Sequence, residues 1–254
     1  MTAPRLVTLI TGASAGLGLE FARQCAARGE ELVLVARRAE RLDALARLLP
    51  GRSHVFPLDL AQPEAALSLV DAIEAEGLTI DVLINNAGFG LVGRFAELPL
   101  ERQREMIDLN VRTLTELCRL VLPPMIARGR GGILNVASTA AFQPGPNFAV
   151  YFATKAYVLS LSEALHQETK GTGVRVTALC PGPVATEFGE VAGFTSDRFT
   201  RFAAAAPQVV RAGLEGLERN RAVVIPGLLN KATAQSHRLA PRGLMRRVVA
   251  RLKA

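Results

Sequence analysis

The sequence of 254 residues has little of what disulfide frameworks, zinc sites and base-stacking surfaces require. Its three cysteines, Cys25, Cys118 and Cys180, lie far apart without CxxC spacing, and its three histidines have no partners at metal-ligand spacing, so we expect neither disulfides nor a metal. Tryptophan is absent and aromatic residues make up 5% of the chain, which leaves few side chains to stack on nucleic-acid bases. No apolar run reaches the roughly 18 residues that span a bilayer, and no signal-peptide pattern opens the chain. We expect a cytoplasmic globular protein.

Acidic residues are absent from the C-terminal part of the chain. The formal net charge is +7, but residues 219–254 carry nine Lys/Arg and no Asp/Glu, while the other residues carry 21 basic and 23 acidic side chains. A nucleic-acid-binding body would spread its positive charge along a groove, so we expect no nucleic-acid partner. Residues 231–254 are predicted to form a basic amphipathic extension, which either docks on the domain or lies peripherally on an anionic inner membrane surface.

Short apolar runs alternate with longer helical patterns along the whole chain. Strands are predicted at 6–10, 32–35, 54–57, 82–84, 133–136, 174–179 and 222–225, and helices at 16–28, 38–48, 63–76, 101–127 and 151–170. This alternation predicts an α/β protein with a doubly wound, mostly parallel seven-stranded sheet (Rossmann fold) and helices on both faces, in a single domain 1–254. In such sheets ligands bind beyond the carboxyl ends of the strands, where the strand order reverses.

A glycine-rich segment follows the first predicted strand. Residues 11–18 read Thr-Gly-Ala-Ser-Ala-Gly-Leu-Gly and open a helix whose free amides and dipole attract phosphate. A glycine cluster alone is equally compatible with a structural turn. Its position between a strand and a helix favours a dinucleotide site.

The second predicted strand ends without the carboxylate that dinucleotide folds usually place there to hold the adenosine ribose. The chain reads Ala36-Arg37-Arg38 instead. Two guanidinium groups suit a 2′-phosphate and predict NADP(H), the alternative being two solvated arginines at the start of a helix. Asp59, after the third strand, is placed either to bond the adenine edge or to cap a helix.

Tyr151 and Lys155 are four residues apart in a predicted helix and therefore share one of its faces. A nearby cation favours an ionised phenol, so we expect the pKa of Tyr151 to lie below its usual value of ~10. Ser138 would hydrogen-bond a carbonyl oxygen while Tyr151 delivers a proton to it. A lone YxxxK pair also arises in any amphipathic helix with one buried Tyr, so this interpretation depends on the other motifs.

The ordered motifs from Thr11 to Thr186 resemble those of the short-chain dehydrogenase/reductase family, in its compact, NADP-preferring branch. The resemblance implies an enzyme that interconverts a ketone or aldehyde and an alcohol by hydride transfer with NADP(H), and that forms a homodimer or homotetramer. It implies a catalytic set of Asn110, Ser138, Tyr151 and Lys155. It implies cofactor contacts from Gly12, Ser14, Leu17, Gly18, Arg37, Asp59, Leu60, Asn86, Ala87, Gly88, Tyr151, Lys155, Pro181, Gly182, Val184 and Thr186.

Two parts of this interpretation keep an alternative. Asn110 either holds a water that connects Lys155 to solvent or is a helix-interior amide bonded to a neighbour. Residues 187–205 form either an apolar lid, which with Phe142 would favour a lipophilic substrate, or ordinary core; their phenylalanines are Phe188, Phe194, Phe199 and Phe202. The rival function is a non-catalytic NADP(H)-sensing or scaffold protein of the same fold.

Overall fold

A computed structural model describes residues 5–193 and 203–236 of the chain, with side chains up to residue 234. Seven strands are present: β1 (Arg5–Thr11), β2 (Glu31–Ala36), β3 (Ser53–Pro57), β4 (Leu78–Asn85), β5 (Gly131–Val136), β6 (Val174–Leu179) and β7 (Val223–Val224). They form one sheet in the order β3-β2-β1-β4-β5-β6-β7, and every neighbouring pair is parallel. The predicted doubly wound Rossmann fold is confirmed.

The helices up to α8 lie between the strands, as the crossovers of a parallel sheet require, and α9 follows β7. They are α1 (Gly16–Ala27), α2 (Ala39–Leu48), α3 (Ala65–Ala75), α4 (Leu100–Ile107), α5 (Leu114–Arg128), α6 (Ala149–Glu168), α7 (Phe188–Ala192), α8 (Ala206–Glu218) and α9 (Leu228–Ser236). The prediction of one continuous helix over 101–127 is wrong in one respect: a π-helical turn at Asp108–Thr113 separates α4 from α5. The extra residue of a π turn shifts the helix face, and this one carries Asn110.

The core lies on both faces of the sheet, which explains why the strands are nearly continuous apolar runs. On one face, α3, α5 and α6 bury Leu69, Leu117 and Val158 against the strands. On the other, α1, α2 and α8 bury a second set that includes Phe21 and Val210. Because helices cover both faces of the sheet, a ligand can reach polar groups only at the ends of the strands.

The strand order reverses between β1 and β4, where the chain leaves these two neighbours in different directions. The backbone amides of Asn86 and Ala87, just after β4, both donate to Thr11 Oγ1 at 3.0 Å. The Asn86 side-chain amide donates to the Thr11 carbonyl oxygen at 2.9 Å. These bonds fix the segment after β4 beside the glycine-rich turn after β1.

Parts of two predicted segments lie outside the described residues. Residues 194–202 of the predicted lid, with Phe194, Phe199 and Phe202, belong to this group, as do residues 237–254 of the predicted C-terminal extension. Residues 231–236 of that extension form the end of α9. Within the described residues, no helix has the length and apolarity needed to cross a membrane.

Candidate active site

An open pocket of about 510 Å³ lies at the carboxyl ends of the strands, at the reversal of strand order. It is lined by most of the residues predicted for the site, namely Gly12, Ser14, Leu17, Arg37, Asp59, Leu60, Asn86, Ala87, Gly88, Ser138, Tyr151, Lys155, Pro181, Gly182, Val184 and Thr186. Two predicted residues, Gly18 and Asn110, are not among its lining residues. Both support the wall from behind, as the contacts below show.

The glycine-rich turn leaves room for a ligand because side chains are excluded from it. Gly12 has a φ of +68°, and a Cβ there would lie 2.9 Å from the Ala87 Cα. A Cβ on Gly18 would lie only 2.1 Å from the Gly12 carbonyl oxygen, so Gly18 allows α1 to start against the turn. Among the described residues, no side chain caps the first turn of α1 at Ala15, so its amides are available to bind an anion. A pyrophosphate fits this cradle.

Arginine side chains stand at the far end of the pocket, after β2. Arg37 and Arg38 both line it, and Arg38 Nη2 donates to Ser14 Oγ at 3.2 Å. Both terminal nitrogens of Arg38 also lie 3.2 Å from Glu187 Oε2. Because this end offers cations and no Asp or Glu from β2, it fits a 2′-phosphate better than a bare ribose.

The contact of Glu187 with Arg38 at this end of the pocket was not predicted from the sequence. Glu187 is 149 positions from Arg38, so no local pattern connects them. Asp59 lines the pocket, and its Oδ1 accepts a hydrogen bond from the Ala61 amide at 3.1 Å. The helix-capping alternative is not realised, because the residue before α3 is Glu64; Asp59 bonds the backbone two residues further on and lines the pocket.

The opposite end holds the predicted catalytic side chains. Tyr151 and Lys155, one turn apart on α6, are 8% and 6% exposed. Lys155 Nζ donates to the Val136 carbonyl oxygen at 2.7 Å and lies 5.8 Å from the centre of the Tyr151 ring. Ser138, just after β5, accepts a hydrogen bond from the Ala140 amide at 3.1 Å. The sheet thus brings the predicted Ser, Tyr and Lys to one place.

The pKa of Tyr151 moves in the direction opposite to that expected from the sequence. Burial raises the pKa of Tyr151 to about 12, and a hydrogen bond with the Ser138 side chain opposes this only in part. Burial also lowers the pKa of Lys155 to about 8. The expectation that Lys155 brings the tyrosine pKa below its usual value is wrong for this arrangement, because desolvation of the phenolate dominates.

Asn110 is bonded to its neighbours in the protein. Its amide nitrogen donates to the Phe89 carbonyl oxygen at 2.9 Å and to Thr154 Oγ1 at 3.1 Å, and its oxygen accepts from the Phe89 amide at 3.1 Å. A Cβ on Gly88 would lie 2.9 Å from Asn110 Oδ1 and 3.6 Å from Lys155 Nζ. The bonds of Asn110 are therefore those of the helix-interior alternative. Because Gly88 has no Cβ, both the Asn110 amide and the Lys155 ammonium can lie close to the Gly88 backbone.

Aromatic rings surround the Tyr151 phenol. Phe148 stacks on Tyr151 with ring centres 4.4 Å apart, and the rings of Phe188 and Phe152 lie 5.3 and 6.2 Å away. The sequence analysis missed Phe148 and Phe152, although Phe148 precedes Tyr151 by three residues, a helical spacing that points toward the same face. Phe142 was expected at this site but packs against the main core instead.

Charged side chains are unevenly distributed among the lining residues that the structure describes. The charged lining residues near the arginines that follow β2 define what we call the phosphate end of the pocket; they are Arg37, Arg38, Asp59 and Glu187. Lys155 is the charged lining residue at the opposite end, which holds Tyr151 and which we call the reaction end. Across the same described residues, no group of three or more His, Cys, Asp or Glu side chains is arranged to hold a metal ion. A glycine-rich turn and a free helix N-terminus at the reversal point of a parallel sheet define the class of dinucleotide-binding α/β proteins.

Comparisons with known proteins agree with this class. The sequence matches the model of the short chain dehydrogenase family over residues 6–193. It is 38% identical over 188 residues to the NADP-dependent 3-hydroxy acid dehydrogenase YdfG of Escherichia coli (strain K12), covering 73% of this chain and 76% of that protein. The chain belongs to the short-chain dehydrogenase family, and it is an enzyme of the dehydrogenase/reductase type.

Two solved structures resemble the fold over nearly its whole length. A short-chain dehydrogenase from Sphingobium yanoikuyae in complex with NADPH superposes with a TM-score of 0.82 at 35% identity, covering 94% of each chain. The bulky-bulky ketone specific alcohol dehydrogenase from Comamonas testosteroni gives 0.79 at 30% identity, covering 96% of this chain and 94% of that one.

Proposed function

We propose that this enzyme uses NADP(H) to interconvert a neutral, lipophilic ketone or aldehyde and the corresponding alcohol. The observation that carries the proposal is the surroundings of the Tyr151 side chain. Its ring is buried against three phenylalanine rings, in a pocket that continues to the glycine-rich turn and the arginines after β2. One pocket thus offers a dinucleotide cradle and a proton donor in apolar surroundings.

The cofactor is NADP(H), because the residues at the phosphate end suit the extra phosphate. Arg37 and Arg38 supply paired charge-assisted donors, and the amides at the start of α1 suit the pyrophosphate. The NADP dependence named for the Escherichia coli relative and the NADPH bound to the Sphingobium protein support this choice. When bound, the cofactor supplies the hydride that reduces the carbonyl carbon.

Side chains of the protein transfer the proton to the substrate oxygen and orient that oxygen. A Tyr151 pKa of about 12 keeps the phenol protonated near neutral pH, so it serves as the acid that protonates the developing alkoxide oxygen. Ser138 Oγ, whose bond to the Pro181 carbonyl oxygen is long at 3.4 Å, donates to the same substrate oxygen and holds it in place. Lys155 provides a positive charge one helical turn from the phenol and favours tyrosinate in the oxidation direction.

Asn110 acts as a positioning residue. Its three bonds tie the π turn to the segment after β4 and to α6, and so fix Gly88 and Phe89 beside Lys155. We assign no proton transfer to it, since its amide already bonds protein neighbours.

The substrate is neutral because the reaction end has little with which to hold an anion. Among the described lining residues, Lys155 is the cation at this end, and it already donates to the Val136 carbonyl oxygen. A carboxylate placed beside Phe148 and Phe188 would be buried without a partner, which is strongly unfavourable. The relative named for 3-hydroxy acids therefore differs from this chain in substrate class, and the relative named for bulky ketones is the better guide.

A panel of neutral aryl and alkyl ketones and aldehydes tests the proposal. NADPH consumption is followed with the purified protein, and Tyr151→Phe serves as the control that removes the proton donor alone. We expect turnover of at least one bulky neutral ketone by the wild type and none by the variant. A protein that binds NADPH tightly and reduces no member of the panel would support the rival sensing or scaffold function.

A further inference from the structure

A carboxylate at the phosphate end of the pocket contacts two arginines there. Glu187, the residue before α7, has one oxygen 2.6 Å from Arg41 Nη1 and the other 3.2 Å from both terminal nitrogens of Arg38. All three side chains are close to half exposed, at 43% for Glu187, 44% for Arg38 and 50% for Arg41. The contact is accessible to a ligand that enters the pocket.

Each of the three guanidinium nitrogens of Arg38 has a partner in this arrangement. Its Nε and Nη2 reach Ser14 Oγ at 3.4 and 3.2 Å, while Nη1 and Nη2 reach Glu187. A phosphate that binds the same guanidinium fork needs these donors, and its charge would repel a carboxylate already there. Glu187 and a phosphate therefore compete for Arg38.

We propose that Glu187 is a resident anion of the 2′-phosphate subsite, which the phosphate of NADP(H) must displace from Arg38. The proposal rests on the NADP(H) assignment made above. It makes Glu187 a specificity-determining residue that weakens binding of the phosphorylated cofactor and leaves the unphosphorylated one nearly unaffected.

Equilibrium binding tests the exchange without any turnover. Dissociation constants for NADP⁺, NAD⁺, adenosine 2′,5′-bisphosphate and adenosine 5′-monophosphate are measured by calorimetry with wild type, Glu187→Gln and Glu190→Gln. Glu190 is the matched control, because it is an exposed carboxylate on α7, three residues beyond Glu187, and is not among the pocket's lining residues. We expect Glu187→Gln to tighten NADP⁺ and the bisphosphate roughly threefold to tenfold, with NAD⁺ and the monophosphate within about twofold.

A double variant identifies the partner. In an Arg38→Ala background, Glu187→Gln should lose its effect on NADP⁺, because the competition is for that guanidinium. The proposal is overturned if Glu187→Gln leaves NADP⁺ binding unchanged or weaker, if NAD⁺ gains equally, or if the gain persists without Arg38. Wild type that binds NADP⁺ no more tightly than NAD⁺ would overturn the cofactor assignment as well, whereas a selective wild type with an unresponsive Glu187 variant overturns this inference alone.

Discussion

The two ends of the pocket use charged and polar groups in opposite ways. At the phosphate end, Arg38 and Glu187 are nearly half exposed and form an ion pair within reach of solvent. At the reaction end, Tyr151 and Lys155 are less than a tenth exposed, and burial moves the pKa of each by more than any neighbouring charge does. Recognition of a phosphate requires accessible cations, whereas proton transfer requires groups whose acidity the protein has changed.

This difference sets the size of the effects expected from substitutions. Ion pairs exposed to solvent are screened and each contributes little, so changes at the phosphate end should be modest and sensitive to salt. Groups removed from water interact strongly, so changes at the reaction end should be large.

Tyr151→Phe should lower kcat by a factor of about a thousand or more, because the proton donor is removed and the ring is kept. Cofactor dissociation constants should stay within about twofold. The assay is NADPH oxidation at saturating ketone, beside calorimetric titration with NADP⁺. Tyr157→Phe is the matched control: Tyr157 is 40% exposed on the same helix, and its hydroxyl lies 2.9 Å from Thr115 Oγ1. Near-normal kcat in Tyr151→Phe would contradict the mechanism.

Lys155→Met should abolish turnover, and its stability relative to wild type should be higher at neutral than at alkaline pH. Burial lowers the folded-state pKa of Lys155 to about 8 from a usual 10.5, so the unfolded chain holds this proton more tightly. Burying the protonated Lys155 therefore lowers the free energy of unfolding of the wild type. This cost is at its full value below pH 8 and vanishes as the pH rises to 10.5. The free energy of unfolding of the variant relative to wild type should therefore fall by up to about 3 kcal/mol from pH 7 to pH 10.5, a difference that the lost bond to the Val136 carbonyl oxygen does not change. Urea unfolding at the two pH values checks it, and a relative stability that does not fall between them would contradict it.

Gly18→Ala should lower the free energy of unfolding by about 2 kcal/mol, since the new methyl would overlap the Gly12 carbonyl oxygen and push α1 from the turn. Gly189→Ala is the control, because it is also helical and has open space around its Cβ. That change should be neutral or slightly stabilising. Chemical denaturation of both variants gives the comparison. Equal stabilities would show that the turn is looser than the structure indicates.

Arg38→Ala should weaken NADP⁺ binding about tenfold and NAD⁺ less than twofold, because it removes charge-assisted bonds to one phosphate. Arg37→Ala should act in the same direction. Arg47→Ala, an exposed arginine of α2 that is not among the lining residues, controls for net charge. The preference of wild type for NADP⁺ should shrink at high salt. If both cofactors lost affinity equally, the arginines would not be binding the 2′-phosphate.

Much of the fold and of the site follows from local sequence patterns. The strand predicted at 6–10 is β1 (Arg5–Thr11), because a parallel strand buried on both faces is a short apolar run. The spacing of the glycine-rich segment, Ser138 and the YxxxK pair predicted which residues would meet in one pocket, since each follows a strand or begins a helix at the same edge of the sheet.

Other features depend on contacts that a linear pattern does not contain. The π turn carrying Asn110 breaks a continuous helical periodicity, and its bonds to Phe89 and Thr154 form only after folding. The direction of the Tyr151 pKa depends on burial, which spacing to Lys155 does not report. Glu187 meets Arg38 across the pocket from a distant part of the chain, so it had no signal in the sequence.

The most direct test of the proposed reaction end compares two substrates that differ in one charge. With NADPH saturating, kcat/KM is measured for the best neutral ketone of the panel and for an analogue of equal length that ends in a carboxylate. The account predicts a value at least about a hundredfold higher for the neutral ketone, because the carboxylate would be buried beside Phe148 and Phe188 without a partner. Equal values, or faster reduction of the carboxylate, would contradict it.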